Sequence, residues 1–494
     1  MNWGSSRHRV HLGVGPADVG GDPTGLERIG ELLASGLDVS DVVHDSRRVV
    51  PGCLYVCLRG ANFDGHEFAE GAVADGAAAL LTDHHIAGLG DTPQVVVDDT
   101  RVRVGPIAAF LNGHPSASLT AVGITGTNGK TTTAHLLHAV FVANGWRTGV
   151  VGTLHGPRTT PEAPELQRTL RGFVEDGADA AVLEVSSHAL ALHRVDGTRF
   201  DAVVFTNLGH DHLDLHGSQE EYFRAKARLF SSRFAPVGIV NVDDPYGQLL
   251  ADASESHEVG REFRVVPTSM DQVTAVDVDA MSHRYRWRGL DVSVPIGGHF
   301  NVANSLAALT TAVELGIDPA VAVDALAEVE PVPGRFQLVR SDVADRRGIT
   351  VIVDYAHTPD GLAELLTSAR SVAARDLTIV FGCGGERDQP KRPEMGRTAA
   401  ELADHVVVTS DNPRREDPAA IVDDIVAGVA PEYRQRVVID VDRRAAIRLA
   451  LESAREGDVV IIAGKGHERV QEHADRNVEF DDLAVATELL EEMA

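Results

Sequence analysis

Lysine is nearly missing from this chain. Of its 45 basic residues only Lys130, Lys226, Lys391 and Lys465 are lysines, and arginine supplies the rest. Arginine is a permanently charged planar fork, whereas a lysine amine can lose its proton and react. A coding bias towards arginine accounts for the scarcity, but not for survivors that stand in glycine-rich or polar motifs, so each lysine is a site candidate. Cysteine is scarce too. Cys53, Cys57 and Cys383 make no disulfide framework, and Cys53-x-x-x-Cys57 has no second pair with which to hold zinc. A reducing, cytoplasmic location is expected. No apolar run reaches the length of a membrane span and no apolar segment follows the basic residues near the N-terminus, so neither membrane insertion nor export is expected. Excess positive charge is lacking as well. A formal net charge of −28 argues against a nucleic-acid or anionic-membrane binder, and any anionic substrate must be held by local cations. There is no internal repeat. The 494 residues, 43% hydrophobic and 24% charged, suit a globular chain of several domains.

What the chain does have is a phosphate-loop pattern. Leu119 to Ile124 is a short apolar run that reads as a buried strand, and Ala134 to Ala143 has helical spacing. Between them lies Gly126-Thr127-Asn128-Gly129-Lys130-Thr131-Thr132. A strand, a tight turn and a helix N-terminus together present free backbone N–H groups and the positive end of a helix dipole to an anion. Lys130 is placed to reach nucleotide phosphates, and the Thr131 hydroxyl to take a Mg²⁺ position. The general G-x-x-x-x-G-K-[ST] pattern needs glycine at 124, where Ile124 stands, so the loop is a compact form.

Taken in order, residues 1–25 are expected to be a loose extension. A small α/β region follows, with a polar turn at His44-Asp45-Ser46-Arg47, a strand over Cys53–Leu58 and a loop over Gly60–Gly65. A helix over about Glu67–Asp75 and short strands near Ala78–Leu81 and Gln94–Val97 complete it. From Leu119 to about Val329 strands alternate with helices, which predicts a mostly parallel sheet. Pro331-Val-Pro-Gly334 reads as a hinge. Beyond it, strands at Thr350–Val353, Leu377–Phe381, His405–Thr409, Arg436–Ile439 and Val459–Ile462 predict a doubly wound, Rossmann-like unit. The expected fold class is therefore α/β with three domains, divided as 1–98, 99–333 and 334–494.

Two stretches offer metal ligands. Ala181-Val-Leu-Glu184-Val-Ser-Ser-His188 is a buried-type strand whose carboxylate belongs where a second strand beside a phosphate loop meets Mg²⁺. Asp201 to Asp214 is an apolar strand opening into a loop with histidines and aspartates, among them His212, and no cysteine or spaced third histidine supports zinc there. Glu221 to Phe230 is an amphipathic helix with Lys226 between Arg224 and Arg228. An amine can take up CO₂ as a carbamate and become a carboxylate-like metal ligand, whereas a guanidinium cannot. Lys226 is a candidate for that modification.

Gly126-Thr-Asn-Gly-Lys-Thr-Thr132, Glu184-Val-Ser-Ser-His188, Thr206-Asn-Leu-x-x-Asp-His212, Gly298-His-Phe-Asn-Val-x-Asn-Ser305 and Asp354-Tyr-Ala-His-Thr-Pro359 stand in this order. In these motifs the chain resembles the Mur ligase family, from about Leu26 to its C-terminus, and most of all the family's tripeptide-forming branch. The resemblance implies an ATP- and Mg²⁺-dependent amide ligase of peptidoglycan synthesis, a cytoplasmic monomer. It further implies that Lys130 and Thr131 contact phosphate and Mg²⁺, that Glu184 and His212 belong to the metal site, and that Lys226 is the carbamylated lysine. Asn301, Arg335 and Asp354 match positions near the nucleotide. Ser46 and the Ala61-Asn62-Phe63 loop match contacts to a uridine nucleotide, and Thr159, Thr160, Ser186 and Arg194 match contacts to a muramoyl-dipeptide. Leu192 stands where the family carries a glutamine.

The third domain is expected to choose the incoming amino acid. Phe381-Gly-Cys-Gly-Gly-Glu-Arg387-Asp delivers Arg387 after a strand, and Ser410-Asp411-Asn412-Pro413-Arg414 delivers Arg414 after another. Guanidinium forks recognise carboxylates, which meso-diaminopimelate offers at its distal end and L-lysine does not. Asp-Asn-Pro-Arg also resembles the motif of diaminopimelate-adding members, and Gly464 and Glu468 match contacts to the amino acid's other end. The expected reaction joins meso-diaminopimelate to the D-glutamyl γ-carboxylate of UDP-N-acetylmuramoyl-L-alanyl-D-glutamate through an acyl phosphate. The rivals are the same ligase adding L-lysine, a folylpolyglutamate synthase, and a phosphate-loop switch that only changes shape.

Overall fold

Three sheets with flanking helices follow one another along the chain in a computed structural model that describes residues 24–60, 63–255 and 263–494. Residues 1–23 of the expected loose extension, and Ala61 and Asn62 of the expected uridine loop, lie outside the described residues. The α/β class is as expected. Among the described residues no helix is long and apolar enough to cross a membrane.

The first sheet has four parallel strands in sequence order, Val42–Val43, Leu54–Val56, Ala79–Thr82 and Gln94–Val96. Leu54, Leu81 and Val95 share one core with Val104, Ile107 and Ala108 of helix Thr100–Leu111. That helix therefore packs with the first sheet, although it follows the expected division at 98/99. Its polar start, where the Asp99 side chain accepts from the N–H groups of Arg101 and Val102, looks like a boundary in sequence. Its buried face packs on the first sheet's core, which also takes in Ala163 of helix Ala163–Glu175.

The central sheet has six parallel strands, ordered Arg264–Thr268, Val237–Asn241, Ala202–Phe205, Thr120–Thr125, Ala180–Glu184 and Thr148–Val151. Its apolar run Val122, Ile124, Val182 and Val204 packs on helices on one face, while Ala121, Leu183 and Val203 pack on the other. This two-sided burial is why these strands read as continuous hydrophobic runs. Thr120–Thr125 lies between its two neighbours at the point where strand order reverses, the place where open α/β sheets bind ligands. A three-stranded antiparallel sheet, Val273–Val278, His283–Trp287 and Leu290–Val294, stands beside it, within the region expected to form a mostly parallel sheet. Its signal was present: His283, Tyr285 and Trp287 are buried and Arg284 and Arg286 exposed, the period of a half-buried strand.

The third sheet is ordered Gln337–Leu338, Thr350–Asp354, Val459–Ala463, Leu377–Phe381, His405–Val408 and Val437–Ile439, parallel except for its first strand. Gly334 of the hinge has φ 64°, and a Cβ there would stand 2.1 Å from the His467 backbone nitrogen. The chain thus enters this unit pressed against the turn that leaves strand Val459–Ala463.

Candidate active site

The loop after Thr120–Thr125 is held so closely that its two glycine positions have no room for a side chain. A Cβ on Gly126 would stand 1.9 Å from Thr206 Oγ1, and one on Gly129, at φ 84°, would stand 2.4 Å from Asn304 Oδ1. The Thr127 N–H donates to Asn207 O at 2.9 Å, and the Asn128 N–H to Asn207 Oδ1 at 2.8 Å. Helix Lys130–Ala143 starts at Lys130, four residues earlier than its apolar spacing suggested, so its N-terminus faces the loop.

Lys226 is buried and Lys130 half-buried, and the two converge on one carbonyl. Lys130 Nζ donates to Gly126 O at 2.9 Å and Thr127 O at 2.8 Å, and Lys226 Nζ donates to Gly126 O at 2.8 Å. Lys226 is 1% exposed and lies 4.7 Å from the Tyr222 ring centroid, although a lysine in mid-helix is ordinarily solvated. Burial pushes its amine well below the ordinary lysine range, and the charge of Lys130 adds to the effect. Burial also lowers Lys130, against the opposing pull of Glu184 and Asp211. Neither amine has a carboxylate within ion-pair distance among the described residues.

Glu184 ends strand Ala180–Glu184 and is 1% exposed. Its carboxylate accepts from Thr131 Oγ1 at 2.9 Å, the Thr153 N–H at 2.9 Å and Thr153 Oγ1 at 3.1 Å. These partners are neutral, so the site holds a buried negative charge among hydroxyl oxygens, the hard donor set that suits Mg²⁺. His212 has φ 56°, and its ring meets His188 edge-on at 4.5 Å. Burial takes its imidazole down to about 3 against the opposing pull of Asp211, so it is neutral at pH 7 and available as a ligand.

A cleft of about 930 Å³ opens above the loop, lined by Lys130, Thr131, Thr132, Asn304, Arg335 and Asp354 among others. Arg335 lies 4.2 Å over the Tyr355 ring, with its guanidinium 3.4 Å from Thr131 Oγ1, and so ties the third unit to the phosphate loop. Asp354 is buried and accepts from the N–H groups of Phe336 (2.6 Å) and Ala356 (2.7 Å); burial raises its carboxyl pKa against the opposing charge of Arg335. Beside the cleft-lining Gly361 and Asp211, the Asp360 carboxylate accepts from the His210 N–H at 2.6 Å. Thr159 and Ser186 also line the cleft. Thr160 Oγ1 donates to Glu184 O at 2.8 Å and accepts from the Ser186 N–H at 3.1 Å, while Arg194 reaches Thr160 O at 3.2 Å and Glu162 at 2.7 Å.

Ser46 is half-buried on the first unit, and Phe63 is 72% exposed. Neither lines this cleft.

The candidates of the third unit gather at the C-terminal ends of its strands. Asn412 Nδ2 donates to Glu468 Oε2 at 2.7 Å. Arg414, at φ 53°, pairs with Glu472 at 2.7 Å and donates to Gly385 O at 2.8 Å. Arg387 is exposed, with no ion pair among the described residues. A Cβ on Gly464 (φ 108°) would stand 2.5 Å from Asp411 Oδ2, and its N–H donates to Asp354 O at 3.1 Å, which joins this group to the cleft. Pro413 O lies against Gly385.

Three family models match in chain order: the Mur ligase family catalytic domain over residues 38–111, the Mur ligase middle domain over 124–312, and the Mur ligase glutamate ligase domain over 334–466. A Syntrophomonas wolfei protein named UDP-N-acetylmuramoyl-L-alanyl-D-glutamate--2,6-diaminopimelate ligase is 42% identical over 478 residues, covering 93% of this chain and 96% of its own. This chain belongs to the Mur ligase family. A solved structure of a ligase of the same name is 34% identical, with a TM-score of 0.63, and covers 92% of this chain and 95% of its own. A Mycobacterium tuberculosis folylpolyglutamate synthase solved with ADP and AMPPCP shares the fold, at 19% identity and a TM-score of 0.59 over 80% of this chain and 94% of its own.

Within this Mur ligase, sequence reasoning missed part of the cleft. Asn301, expected near the nucleotide, is turned inward: its side chain donates to Gly297 O at 2.7 Å and accepts from Asn304 Nδ2 at 2.9 Å, and Asn304 lines the cleft. Asn241, which ends strand Val237–Asn241, Asp243 and Asp244 just beyond it, and Glu364 also line it. The rule that ligands meet strand C-termini could have found the first three. Lys391 opens helix Lys391–Leu402, half-buried, with its charge acting on Asp211 and His357. Leu192 is half-buried at the end of helix Ser187–Ala191. Outside the cleft, His66, Asp83 and His84 bring possible ligand atoms within 4.8 Å, but Arg59 already neutralises Asp83 at 2.7 Å and Asp64 at 2.9 Å. That group is an ion-pair network.

Proposed function

We propose that this Mur ligase joins meso-diaminopimelate to the D-glutamyl γ-carboxylate of UDP-N-acetylmuramoyl-L-alanyl-D-glutamate, using ATP, in the cytoplasmic stage of peptidoglycan synthesis. The observation that carries this reading is the junction of two sites: the phosphate-loop cleft and the arginine-bearing strand ends share Asp354 and Tyr355, through the Gly464 N–H at 3.1 Å and the His467 ring at 5.3 Å. The substrate names borne by the 42% identical relative support it.

The loop Gly126–Thr132 holds the ATP phosphates, with Asn304, Arg335 and Asp354 around the nucleotide and Asn301 holding Asn304 in place. Thr131, Glu184, His212 and Lys226 as its carbamate would hold Mg²⁺, which supplies neutralising charge for phosphoryl transfer. Lys226 fits the modification because its amine is buried and has no carboxylate within ion-pair distance among the described residues, and only a neutral amine adds CO₂. Thr159, Thr160, Ser186 and Arg194 present the dipeptide beside the loop, and Ser46 with the Ala61–Phe63 loop takes the uridine end. The γ-carboxylate oxygen attacks the γ-phosphorus and ADP leaves. Carboxylate and phosphate repel one another, and the Lys130 ammonium offsets that repulsion as charge builds in transfer. The amine of diaminopimelate then adds to the acyl carbon, and collapse of the tetrahedral intermediate expels phosphate. Arg387 and Arg414 take the distal carboxylate; Asp411, Asn412, Pro413, Gly464 and Glu468 shape the other end. Closure about Pro331–Gly334 keeps water from the acyl phosphate.

Purified protein with ATP and Mg²⁺ is expected to release phosphate only when the UDP-muramoyl-dipeptide and diaminopimelate are both present. Release with folate and glutamate, or steady hydrolysis with no amino acid, would contradict the reading.

A further inference from the structure

Lys465 belongs to neither the phosphate site nor the substrate contacts assigned above, yet it is 0% exposed in a chain that has kept so few lysines. Its flanking residues Gly464 and Gly466 are left-handed (φ 108° and 53°), which turns the side chain inward between the 410–414 turn and strand Val470–Glu472. An ammonium has three N–H donors, and three acceptors surround this one: Asn412 Oδ1 at 3.0 Å, Glu468 Oε2 at 3.4 Å and Val470 O at 2.7 Å. The same bonds run on in both directions. Glu468 Oε2 accepts from Asn412 Nδ2 at 2.7 Å, and Asn412 Oδ1 accepts from the Glu472 N–H at 3.0 Å. Glu472 in turn pairs with Arg414 Nε at 2.7 Å, and its carbonyl accepts the Arg414 N–H at 2.9 Å. One unbroken network therefore joins Glu468 to Arg414 through Asn412 and Glu472, and Lys465 braces it by bonding both Asn412 and Glu468 while anchored to Val470 O.

We propose that Lys465 is a positioning residue that fixes the spacing between Glu468 and Arg414, and thereby the length of diamino diacid the site accepts. This rests on the ligase reading, in which those two residues take opposite ends of the amino acid. Arginine, with a longer planar head, does not match three acceptors around a point charge, which accounts for a lysine here. A small displacement of recognition groups is enough to cost substrate binding heavily.

The test is Lys465→Met, with Lys465→Gln as a second variant, in full-length protein. The expected result is a rise of roughly tenfold or more in KM for meso-diaminopimelate with KM for ATP unchanged, together with a weaker preference for meso-diaminopimelate over a diamino diacid one methylene shorter. Equal rises in KM for all substrates, an unchanged length preference, or failure of both variants to fold would overturn the proposal and make Lys465 a stability residue. A wild-type enzyme whose phosphate release ignores amino acids altogether would instead sink the ligase reading.

Discussion

The phosphate-loop cleft and the strand ends of the third unit both bury cations, but they treat them in opposite ways. Lys130 and Lys226 lie side by side on the Gly126 carbonyl, and no carboxylate is within ion-pair distance of either among the described residues. In the third unit buried cations are paired. Arg443 and Asp482 are both 0% exposed and 2.6 Å apart, Arg392 meets Glu416 and Asp424 at 2.9 Å each, and Lys465 meets Glu468. An unpaired buried amine is costly to the fold and useful to chemistry, because it waits for charge that arrives with substrate. A paired buried cation spends its charge on shape. One half of the site is built to neutralise, and the other is built to hold a spacing.

That contrast can be broken at either end. The largest effect is expected for Lys130→Ala, a loss of about a thousandfold or more in amino-acid-dependent phosphate release with the fold intact. An unchanged rate would remove the neutralising role from the loop. Arg443→Ala should do the reverse and cost the third unit about 3–5 kcal/mol of stability by leaving Asp482 buried and unpaired, read by denaturant unfolding. Lys226→Ala should lose activity by about a hundredfold, with short carboxylic acids in the buffer restoring part of it. Rescue is the sharper half of that test, since it separates a missing carbamate from a missing amine. Arg414→Ala should raise KM for diaminopimelate about tenfold to a hundredfold and leave KM for ATP alone. A comparable rise for ATP would mean that the two halves are not divided as described.

Much of this was legible in the chain. The apolar runs of the central and third sheets announce themselves because both faces are buried, and the phosphate loop is marked by glycines at 126 and 129 that cannot carry a Cβ. The unusual burial of Lys226 was foreshadowed by its being a lysine between arginines. Other features depend on packing partners far away in sequence. Helix Thr100–Leu111 joins the first sheet because Val104 and Ile107 find a core there, which no local pattern reveals. Asn301 and Asn304 stand three residues apart on one helix, and only the packed structure tells which of them faces the cleft. The antiparallel strands fell within a region that otherwise alternates regularly, so the buried-exposed alternation of His283–Trp287 went unread.

The central claim is that unpaired amines activate a carboxylate while the third unit, held in shape by paired buried cations, selects what it is joined to. Its most direct test offers the purified enzyme ATP, Mg²⁺, the UDP-muramoyl-dipeptide, and equal amounts of meso-diaminopimelate and L-lysine, with the products weighed by mass spectrometry and phosphate measured alongside. The account predicts a diaminopimelate-bearing tripeptide product, one phosphate for each, and hardly any lysine product. Equal amounts of the two products would contradict it.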